Sequence, residues 1–408
     1  MPGETRSPKY LSAAEAAARL GVHRSTLYAY VSRGHVRAEA DPEKAHASRY
    51  LTADVDRLRD RKQARLHPGE AARKTLHFGL PVMQSAITLI ENGRLFYRGH
   101  DVLELARSST FEDVIRILWQ DGAAPGSRVR AVRLPAPART VMRRFAPADR
   151  LQVVLPFAAQ ADRCAADSSP RGVAASGSRI MHALVAAATL HALPRRMPIA
   201  GHLANAWRVG RAKAIEMIDA ALILCADHEL NVSAFAVRVA ASAGASLYDA
   251  ILAGLCALRG ARHGGQTDLV EDLLDESSTP DRLRMTMERR IARGGQVPGF
   301  GHPLYPNGDP RGRLLTELVA EAFDARWVDA VQRAGLDVAG EFPTVDVGLV
   351  LLRRALRLPR GSAFLLFALG RSAGWIAHAM EQYASSQVIR PRALYSGVDS
   401  RIKIDGRG

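Results

Sequence analysis

The stretch PGFGHPLYPNGDPRG, residues 298–312, contributes most to the interpretation of this chain. His302 lies in a Gly-His-Pro turn, and turns rich in Gly and Pro hold functional groups more often than they fill cores. Nine residues later, Arg311 follows an Asp-Pro pair, and a fixed guanidinium suits a carboxylate in bidentate geometry. Either residue taken singly is more often structural than functional, so the interpretation depends on the motifs around them.

Further motifs lie on both sides of this stretch. Upstream, His228 belongs to the long apolar segment 226–255, and His263 lies between Arg262 and a pair of glycines. We expect a helix to begin or end at His263, so that its side chain and the nearby backbone amides face a cavity. Downstream the chain reads FPTVDVGLVLL (342–352), FALGRSAGWIAHAMEQ (367–382) and IRPRALYSG (389–397).

The composition is that of a soluble globular protein. With 408 residues the chain exceeds the usual size of one compact domain, so we expect two or three domains. The apolar fraction of 47% and the charged fraction of 24% exclude a disordered or fibrous protein. Ala, Leu, Arg and Glu dominate and aromatic residues make up only 6%, which predicts a mainly α fold.

The chain is strongly basic, with a formal net charge of +15. Residues 1–75 hold 15 Lys and Arg against 9 Asp and Glu, so positive charge is densest there. This charge fits a polyanionic partner, either nucleic acid or a phosphorylated small molecule, and does not choose between them. A GC-rich genome would produce the same bias toward Arg and Ala.

The cysteines and the apolar runs indicate a cytoplasmic protein. Cys164, Cys225 and Cys256 have no metal or redox spacing, and we expect them to be reduced and mostly in the core. No apolar run approaches the ~20 residues that span a bilayer, and the N-terminus has no apolar segment after a basic start. We therefore expect no membrane partner.

The N-terminal segment carries the start and stop signals of two short helices. Ser12, with a Glu three residues on, forms a capping box, and Gly21 supplies a tight turn. Ser25 is expected to cap a second helix that stops at Gly34, before a turn or small hairpin and a further capped helix. The segment resembles the winged helix-turn-helix of the MerR and excisionase type, which implies a DNA-binding domain over residues 1–65.

In that role the second helix would read DNA and nearby arginines would contact phosphates. The residues are Ser25, Thr26 and Tyr28 for DNA reading, with Arg24, Arg33 and Arg37 on phosphates. The alternative is that this unit serves oligomer contacts or regulation without DNA. If the remainder of the chain dimerises, two such units can engage paired half-sites.

Two stretches interrupt the helical patterns. A charged stretch that contains Pro68 and Gly69 predicts a linker at residues 66–75. A second stretch, residues 121–148, is rich in Pro and is expected to be loop-like. Long patterns rich in Ala and Leu return from Leu151.

In order and spacing, the histidine motifs and their neighbours resemble the citrate synthase family. The resemblance runs from about residue 76 to 398 and includes the segment that ends RLFYRGHDVLELARSSTFEDVIRILW at Trp119. It implies a mainly α citrate synthase fold, with a large domain at 76–263 and 356–408 and a small mobile domain at 264–355. The site would lie in the cleft between them, where closure excludes water. The resemblance also implies a homodimer.

The resemblance assigns roles to individual residues. Asp346 would be the general base that removes a proton from the methyl group of acetyl coenzyme A (acetyl-CoA). His263 would hydrogen-bond the thioester oxygen as the enolate forms, and His302 would donate to the ketone oxygen of oxaloacetate. Substrate binding would involve His228 and three carboxylate-binding arginines, Arg311, Arg371 and Arg390, the last from the partner subunit.

Two classes of function follow. The first is an acyltransferase that makes citrate and free CoA from acetyl-CoA, oxaloacetate and water, with no metal or redox cofactor. Val347-Gly348-Leu349 replaces the aromatic pair and Ser-Gly of many members, so propionyl-CoA and 2-methylcitrate remain open. Residues 303–307 lack the basic residues common in relatives, which leaves the contacts to CoA phosphates open. The second class is a transcriptional regulator that uses the fold as a metabolite sensor; retention of the base favours catalysis.

Overall fold

A computed structural model describes residues 10–41, 47–56, 58–59, 83–120, 136–192, 194, 197–385, 387–393, 395 and 397. The chain divides into two compact units, Met1–Gln84 and Ser85–Gly408. The linker predicted at residues 66–75 lies outside the described residues.

The N-terminal unit combines two short helices with a small antiparallel sheet. Its elements are β1 (Tyr10–Ser12), α1 (Ala13–Leu20), α2 (Arg24–Ser32), β2 (Ala38–Ala40) and β3 (Ser48–Leu51). The strand order is β1-β3-β2, and β3 pairs with both neighbours in antiparallel register. Residues 52–56 and 58–59 are helical. A core of Leu11, Leu27, Val36, Tyr50 and Val55 holds these elements together.

Local capping explains where the first helix begins and ends. The Ser12 hydroxyl accepts from the Glu15 backbone N–H and the Glu15 carboxylate accepts from the Ser12 backbone N–H, which confirms the predicted capping box. Gly21 ends the helix in the left-handed region at φ 59°. The expectation for Ser25 is wrong. α2 begins at Arg24, two residues earlier than a Ser25 cap implies, because the extended cap residue is His23, whose carbonyl accepts from the N–H groups of Thr26 and Leu27.

The second unit is mainly helical, as the composition predicts. It opens with a three-stranded antiparallel sheet, β4 (Thr88–Glu91), β5 (Arg94–Tyr97) and β6 (His100–Asp101). The helices that follow are α3 (Val102–Ser108), α4 (Phe111–Trp119), α5 (Ala136–Met142), α6 (Pro147–Gln160), α7 (Pro170–Thr189), α8 (Ile199–Ala206), α9 (Ala212–Cys225), α10 (Val232–Ser242), α11 (Leu247–Leu258), α12 (Gln266–Ser277), α13 (Leu283–Ala292), α14 (Pro310–Ala322), α15 (Arg326–Ala334), α16 (Val345–Ala355) and α17 (Ser362–Tyr383). A 3₁₀ turn, Pro280–Arg282, precedes α13, and a π turn, Gly335–Ala339, follows α15.

Two expectations are corrected in this unit. Part of the loop-like stretch 121–148 is the helix α5, where Pro137 is the second residue and needs no intrahelical N–H partner. Residues 121–135 of that stretch lie outside the described part of the chain. Of the three cysteines only Cys225 is buried; Cys164 and Cys256 are exposed, because the first lies in a turn and the second on the outer face of α11.

Helix α17 is the central buried helix of this unit. Its residues 362–379 are all buried, so it is surrounded by other helices on every side. By length and composition it could cross a membrane, but 94% of its most apolar window lies inside the fold. Among the described helices it is the only one that passes that test. Its buried polar side chains include Arg371, His378 and Gln382, which follow one another at about two turns and one turn and therefore share a face.

Two glycines let α14 and α16 approach closely. A Cβ at Gly312 would lie 2.5 Å from the carbonyl oxygen of Thr344, and one at Gly348 would lie 2.8 Å from Leu315 Cβ. Real Cβ contacts are longer than this, so only glycine permits the observed separation. The close packing brings the N-terminal turns of the two helices, with Arg311 and Asp346, side by side.

Candidate active site

The loop that carries His302 is attached to the segment that leads into α16. Gly299 and Gly301 adopt φ values of 85° and 76°, which L side chains rarely do, and a Cβ at Gly299 would lie 2.5 Å from Val270 Cγ2. The N–H of Gly301 donates to the carbonyl of Phe342, and the N–H of Thr344 donates to that of Gly299, both at 2.9 Å. The His302 loop and the start of α16 are therefore fixed relative to each other.

Asp346 lies in the first turn of α16 with one carboxylate oxygen unsatisfied. Oδ2 accepts from the Thr344 hydroxyl at 3.1 Å, whereas Oδ1 is buried and has no hydrogen-bond partner among the described residues. Burial raises the pKa of Asp346 to about 6, although the Thr344 hydroxyl and Arg311 counteract it. A carboxylate with such a pKa and a bare oxygen is suited to accept a proton near neutrality.

Arg311 is held in a buried ion pair with Asp309. The Arg311 Nε and Nη2 atoms donate to the two Asp309 oxygens at 3.0 Å and 2.8 Å, and both side chains are buried. Asp309 Oδ2 also accepts from the Val345 N–H at 3.1 Å. One carboxylate therefore orients the guanidinium and anchors the N-terminus of α16.

His228 and His302 meet around the ring of Tyr305. The two imidazole centroids are 5.1 Å apart, and His228 Nε2 lies 2.9 Å from the Tyr305 hydroxyl. Burial and the charge of Arg311 lower the pKa of His302 to about 4, and burial with Arg311 and His302 lowers that of His228 well below its usual value. Both rings are therefore neutral. The Leu304 N–H donates to His302 Nδ1 at 3.2 Å, so the neutral ring carries its proton on Nε2.

His263 lies in the turn between α11 and α12, as predicted, and rests on Ser233. Its Nε2 is 2.8 Å from the Ser233 hydroxyl, which also receives the Trp375 indole N–H at 3.2 Å. The same hydroxyl donates to the side-chain oxygen of Asn231 at 2.7 Å, and that oxygen also accepts two backbone N–H groups at the start of α10. The hydroxyl therefore holds the His263 ring from its Nε2 side. Burial, with Arg371 and Arg311, lowers the pKa of His263 to about 3.

Arg371 is a buried cation without an ion pair among the described residues. Its Nε donates to the carbonyl of Cys225 at 2.8 Å, and its guanidinium lies 5.0 Å from the centroid of Phe367. The same Phe367 ring lies 6.1 Å from that of His263. Burial lowers the pKa of Arg371, although Asp227 counteracts it. A buried positive charge that lacks a carboxylate is a natural place for an anionic ligand.

The structure brings six of the seven predicted enzyme-site residues together. His228, His302 and Arg311 surround Tyr305, and the Arg311 guanidinium lies 5.6 Å from its ring. His263 and Arg371 share Phe367, and Asp346 is linked to Arg311 through Asp309 and α16. The exception is Arg390. In the single chain it is exposed, and it forms no hydrogen bond or ion pair with any described residue.

Sequence reasoning missed the residues that hold the predicted ones in place. Tyr305 and Asp309 stand within the stretch quoted at the outset, and Asp309 could have been found as the acidic cap two residues before Arg311. Ser233, Thr344 and the Phe367 ring carry no signal in the sequence, because their importance comes from contacts made across the fold.

In the N-terminal unit the predicted DNA-contacting residues lie mostly on the surface. Arg24, Ser25 and Arg33 are exposed, and 52% of Tyr28 is exposed, whereas Thr26 is half-buried. Arg37 is different. Its guanidinium binds the buried carboxylate of Asp54 at 2.8 Å and 3.1 Å, so it fastens the sheet to the following helix.

No group of three or more His, Cys, Asp or Glu side chains with metal-binding geometry occurs among the residues that the structure describes.

The chain is similar in sequence and in fold to known proteins. The family model described as "Citrate synthase, C-terminal domain" matches residues 76–392. The chain is 29% identical to a citrate synthase of Haloferax volcanii, over 78% of this chain and 94% of that protein. It is 28% identical to a 2-methylcitrate synthase of Mycobacterium tuberculosis, over 79% of this chain and 90% of that protein. The crystal structure of citrate synthase from Thermotoga maritima superposes with a TM-score of 0.63 at 28% identity, over 78% of this chain and 94% of that one. The chain therefore belongs to the citrate synthase family of acyltransferases.

Proposed function

We propose that this protein condenses acetyl-CoA with oxaloacetate and water to give citrate and CoA. The observation that carries the proposal is the Asp346 carboxylate, which has a buried oxygen without a partner and a pKa raised to about 6. A thioester methyl group is a very weak acid, so the base succeeds only where the developing enolate oxygen meets a preorganised donor.

His263 is that donor in the proposed mechanism. Its pKa of about 3 keeps the ring neutral throughout the useful pH range, so it donates a hydrogen bond without transferring a full charge. Ser233 orients the ring through its 2.8 Å contact with Nε2.

His302 and the arginines prepare oxaloacetate. The Nε2–H group of His302 polarises the ketone, so that its carbon accepts the enolate and a new carbon–carbon bond forms. Arg371 offers a charge without a carboxylate partner to one carboxylate of oxaloacetate. Arg311, which Asp309 holds in a fixed orientation, makes a second contact to oxaloacetate. Water then cleaves the carbon–sulfur bond of the citryl thioester and releases citrate and the thiol. No metal or redox cofactor enters these steps.

The dimer is part of the proposal because of the segment that carries Arg390. The Gln382 side chain donates to the carbonyl of Gln387, and the Ile389 N–H donates to the Ser242 hydroxyl, both at 3.0 Å. This segment is thus held in place while Arg390 projects outward. We assign Arg390 to the carboxylate site of a partner subunit in a cytoplasmic homodimer.

For the N-terminal unit we propose a winged helix-turn-helix that binds DNA. The exposed side chains of Arg24, Ser25, Tyr28 and Arg33 on and after α2 support this role, as does the adjacent antiparallel pair of β2 and β3. DNA affinity should fall with rising salt; affinity without a salt dependence would contradict phosphate contacts. Binding that responds to oxaloacetate would favour the metabolite-sensor hypothesis.

Thiol release tests the enzymatic proposal. Wild type, Asp346→Asn and the control Asp324→Asn, an exposed carboxylate paired with Arg326, would each receive oxaloacetate with acetyl-CoA or propionyl-CoA. We expect turnover that collapses only in Asp346→Asn, and the ratio of the two acyl substrates distinguishes citrate from 2-methylcitrate. A folded wild type that binds oxaloacetate without turnover would refute catalysis and leave the sensor.

A further inference from the structure

We propose that Tyr305 is a positioning residue for His228: its hydroxyl fixes the orientation and the tautomer of the imidazole that receives oxaloacetate. The inference rests on the proposed function, since it concerns the substrate side of the same site.

The geometry places Tyr305 at the centre of the substrate-binding groups. Its side chain is 3% exposed, and its ring centroid lies 5.1 Å from that of His302 and 5.5 Å from that of His228. Its backbone is fixed as well, because its N–H donates to the carbonyl of His302 and its own carbonyl accepts from Gly308. A ring held on both sides in this way presents its hydroxyl at one position only.

The proton between Tyr305 and His228 can be assigned. Burial raises the pKa of Tyr305 to about 12, so the phenol keeps its proton, and His228 is neutral. Within the described part of the chain, the bond to His228 Nε2 at 2.9 Å is the only hydrogen bond of this hydroxyl. If Nε2 carried a proton, the buried phenol proton would have no acceptor, which is costly. The phenol therefore donates to Nε2, and His228 holds its own proton on Nδ1.

With this assignment the Tyr305 hydroxyl selects one tautomer and one orientation of His228, which packing of the tyrosine ring alone would not do. An imidazole without a partner at Nε2 can rotate and exchange between two tautomers, and only one of these presents an N–H group at Nδ1. Oxaloacetate binding would then have to order the ring at the expense of affinity. Loss of one hydrogen bond to a buried group corresponds to about a tenfold rise in the dissociation constant.

Tyr305→Phe tests the proposal because it removes the hydroxyl and retains the ring. We expect the Kd and the KM for oxaloacetate to rise about tenfold while kcat changes by less than about threefold. Tyr383→Phe is the matched control, since its half-buried hydroxyl donates to the Ala245 carbonyl at 2.8 Å, away from the three site histidines. Nitrogen-15 spectra of labelled histidine should show His228 protonated on Nδ1 in the wild type and as exchanging tautomers in Tyr305→Phe.

The outcomes separate this inference from the proposed function. A wild type that does not bind oxaloacetate would refute the function itself. A wild type that binds it, with an unchanged Kd in Tyr305→Phe or a wild-type His228 protonated on Nε2, would refute only the role of Tyr305. A lower Kd in Tyr305→Phe would mean that the hydroxyl competes with the substrate, which also overturns the proposal. In a His228→Gln background the added Tyr305→Phe change should have no further effect on affinity, because the tyrosine acts through the histidine.

Discussion

The hydroxyl of Thr344 controls the pH at which Asp346 becomes a base. The hydroxyl oxygen lies 3.1 Å from Asp346 Oδ2 and the same distance from the carbonyl oxygen of Gly299, so its one proton is shared between these two acceptors. Thr344→Val keeps the shape of the side chain and removes this donor. The Gly299 carbonyl retains the Thr344 backbone N–H at 2.9 Å, so the loop keeps its main attachment.

The size of the effect follows from the charge of the acceptor. The Thr344 hydrogen bond is the largest of the influences that lower the pKa of Asp346, which stands at about 6 with the bond in place. A hydrogen bond to a charged group contributes about 1.5 kcal/mol, or roughly one pKa unit. In Thr344→Val the pKa should therefore rise to about 7. At pH 6 the ionised fraction falls from about one half to about one tenth, whereas at pH 9 it hardly changes.

The assay is kcat/KM for the acyl-CoA substrate between about pH 5 and pH 9. The acid limb should move upward by roughly one unit, and the alkaline plateau should stay within about twofold of wild type. Thr316→Val is the control: the buried Thr316 hydroxyl donates at 2.8 Å to the Arg313 carbonyl, and both residues belong to the neighbouring helix α14. An acid limb that does not move in Thr344→Val, or that moves equally in the control, would refute the assignment of Asp346 as the base.

Three other predictions concern charge and packing. Burial raises the folded-state pKa of Asp346 to about 6, above an unfolded value of about 3.9. The stability associated with its neutral form is thus full below about pH 4 and lost as the pH rises through 6. Asp346→Asn should therefore raise the thermal midpoint at pH 8 but not at pH 4, and the gain in the free energy of unfolding has an upper limit of about 3 kcal/mol. Equal shifts of the midpoint at both pH values would contradict this. Gly348→Ala should separate α14 from α16, lowering stability by about 1–3 kcal/mol in denaturant titrations and reducing turnover. Arg371→Met should weaken oxaloacetate binding about a hundredfold in calorimetric titrations, whereas Arg284→Met, at an exposed ion pair, should leave it unchanged.

Features set by neighbouring residues could be predicted from the sequence. The capping box at Ser12 and the left-handed Gly21 depend on a few adjacent residues, so the local pattern was sufficient. The residue types place the start of α2 two residues late, because Ser25 is a good cap by type whereas the extended backbone at His23 sets the actual start. The many prolines of residues 121–148 predict a loop, whereas Pro137 occupies the second position of a helix, which tolerates proline.

The predicted enzyme-site residues came from the family resemblance, whereas their supports required the fold. Asp346 stands in a motif that can be recognised in one dimension. The hydrogen bond between His228 and Tyr305 joins residues 77 positions apart, and the one between Ser233 and Trp375 joins residues 142 apart. No periodicity or spacing in a single sequence reports such pairs, because they depend on how distant helices pack.

The position of Arg371 within α17 limits how the chain can change its length. Trp375 follows it by four residues, and these two residues touch respectively the Cys225 carbonyl and the Ser233 hydroxyl beneath His263. Gln382, further along, holds the segment that bears Arg390. Inserting one residue between Arg371 and Gln382 would turn everything beyond it by about 100° and advance it by about 1.5 Å. Family members should therefore vary in length on either side of this helix but hardly within it, and a library of single-residue insertions across residues 362–393 should show a sharp minimum of activity inside the helix.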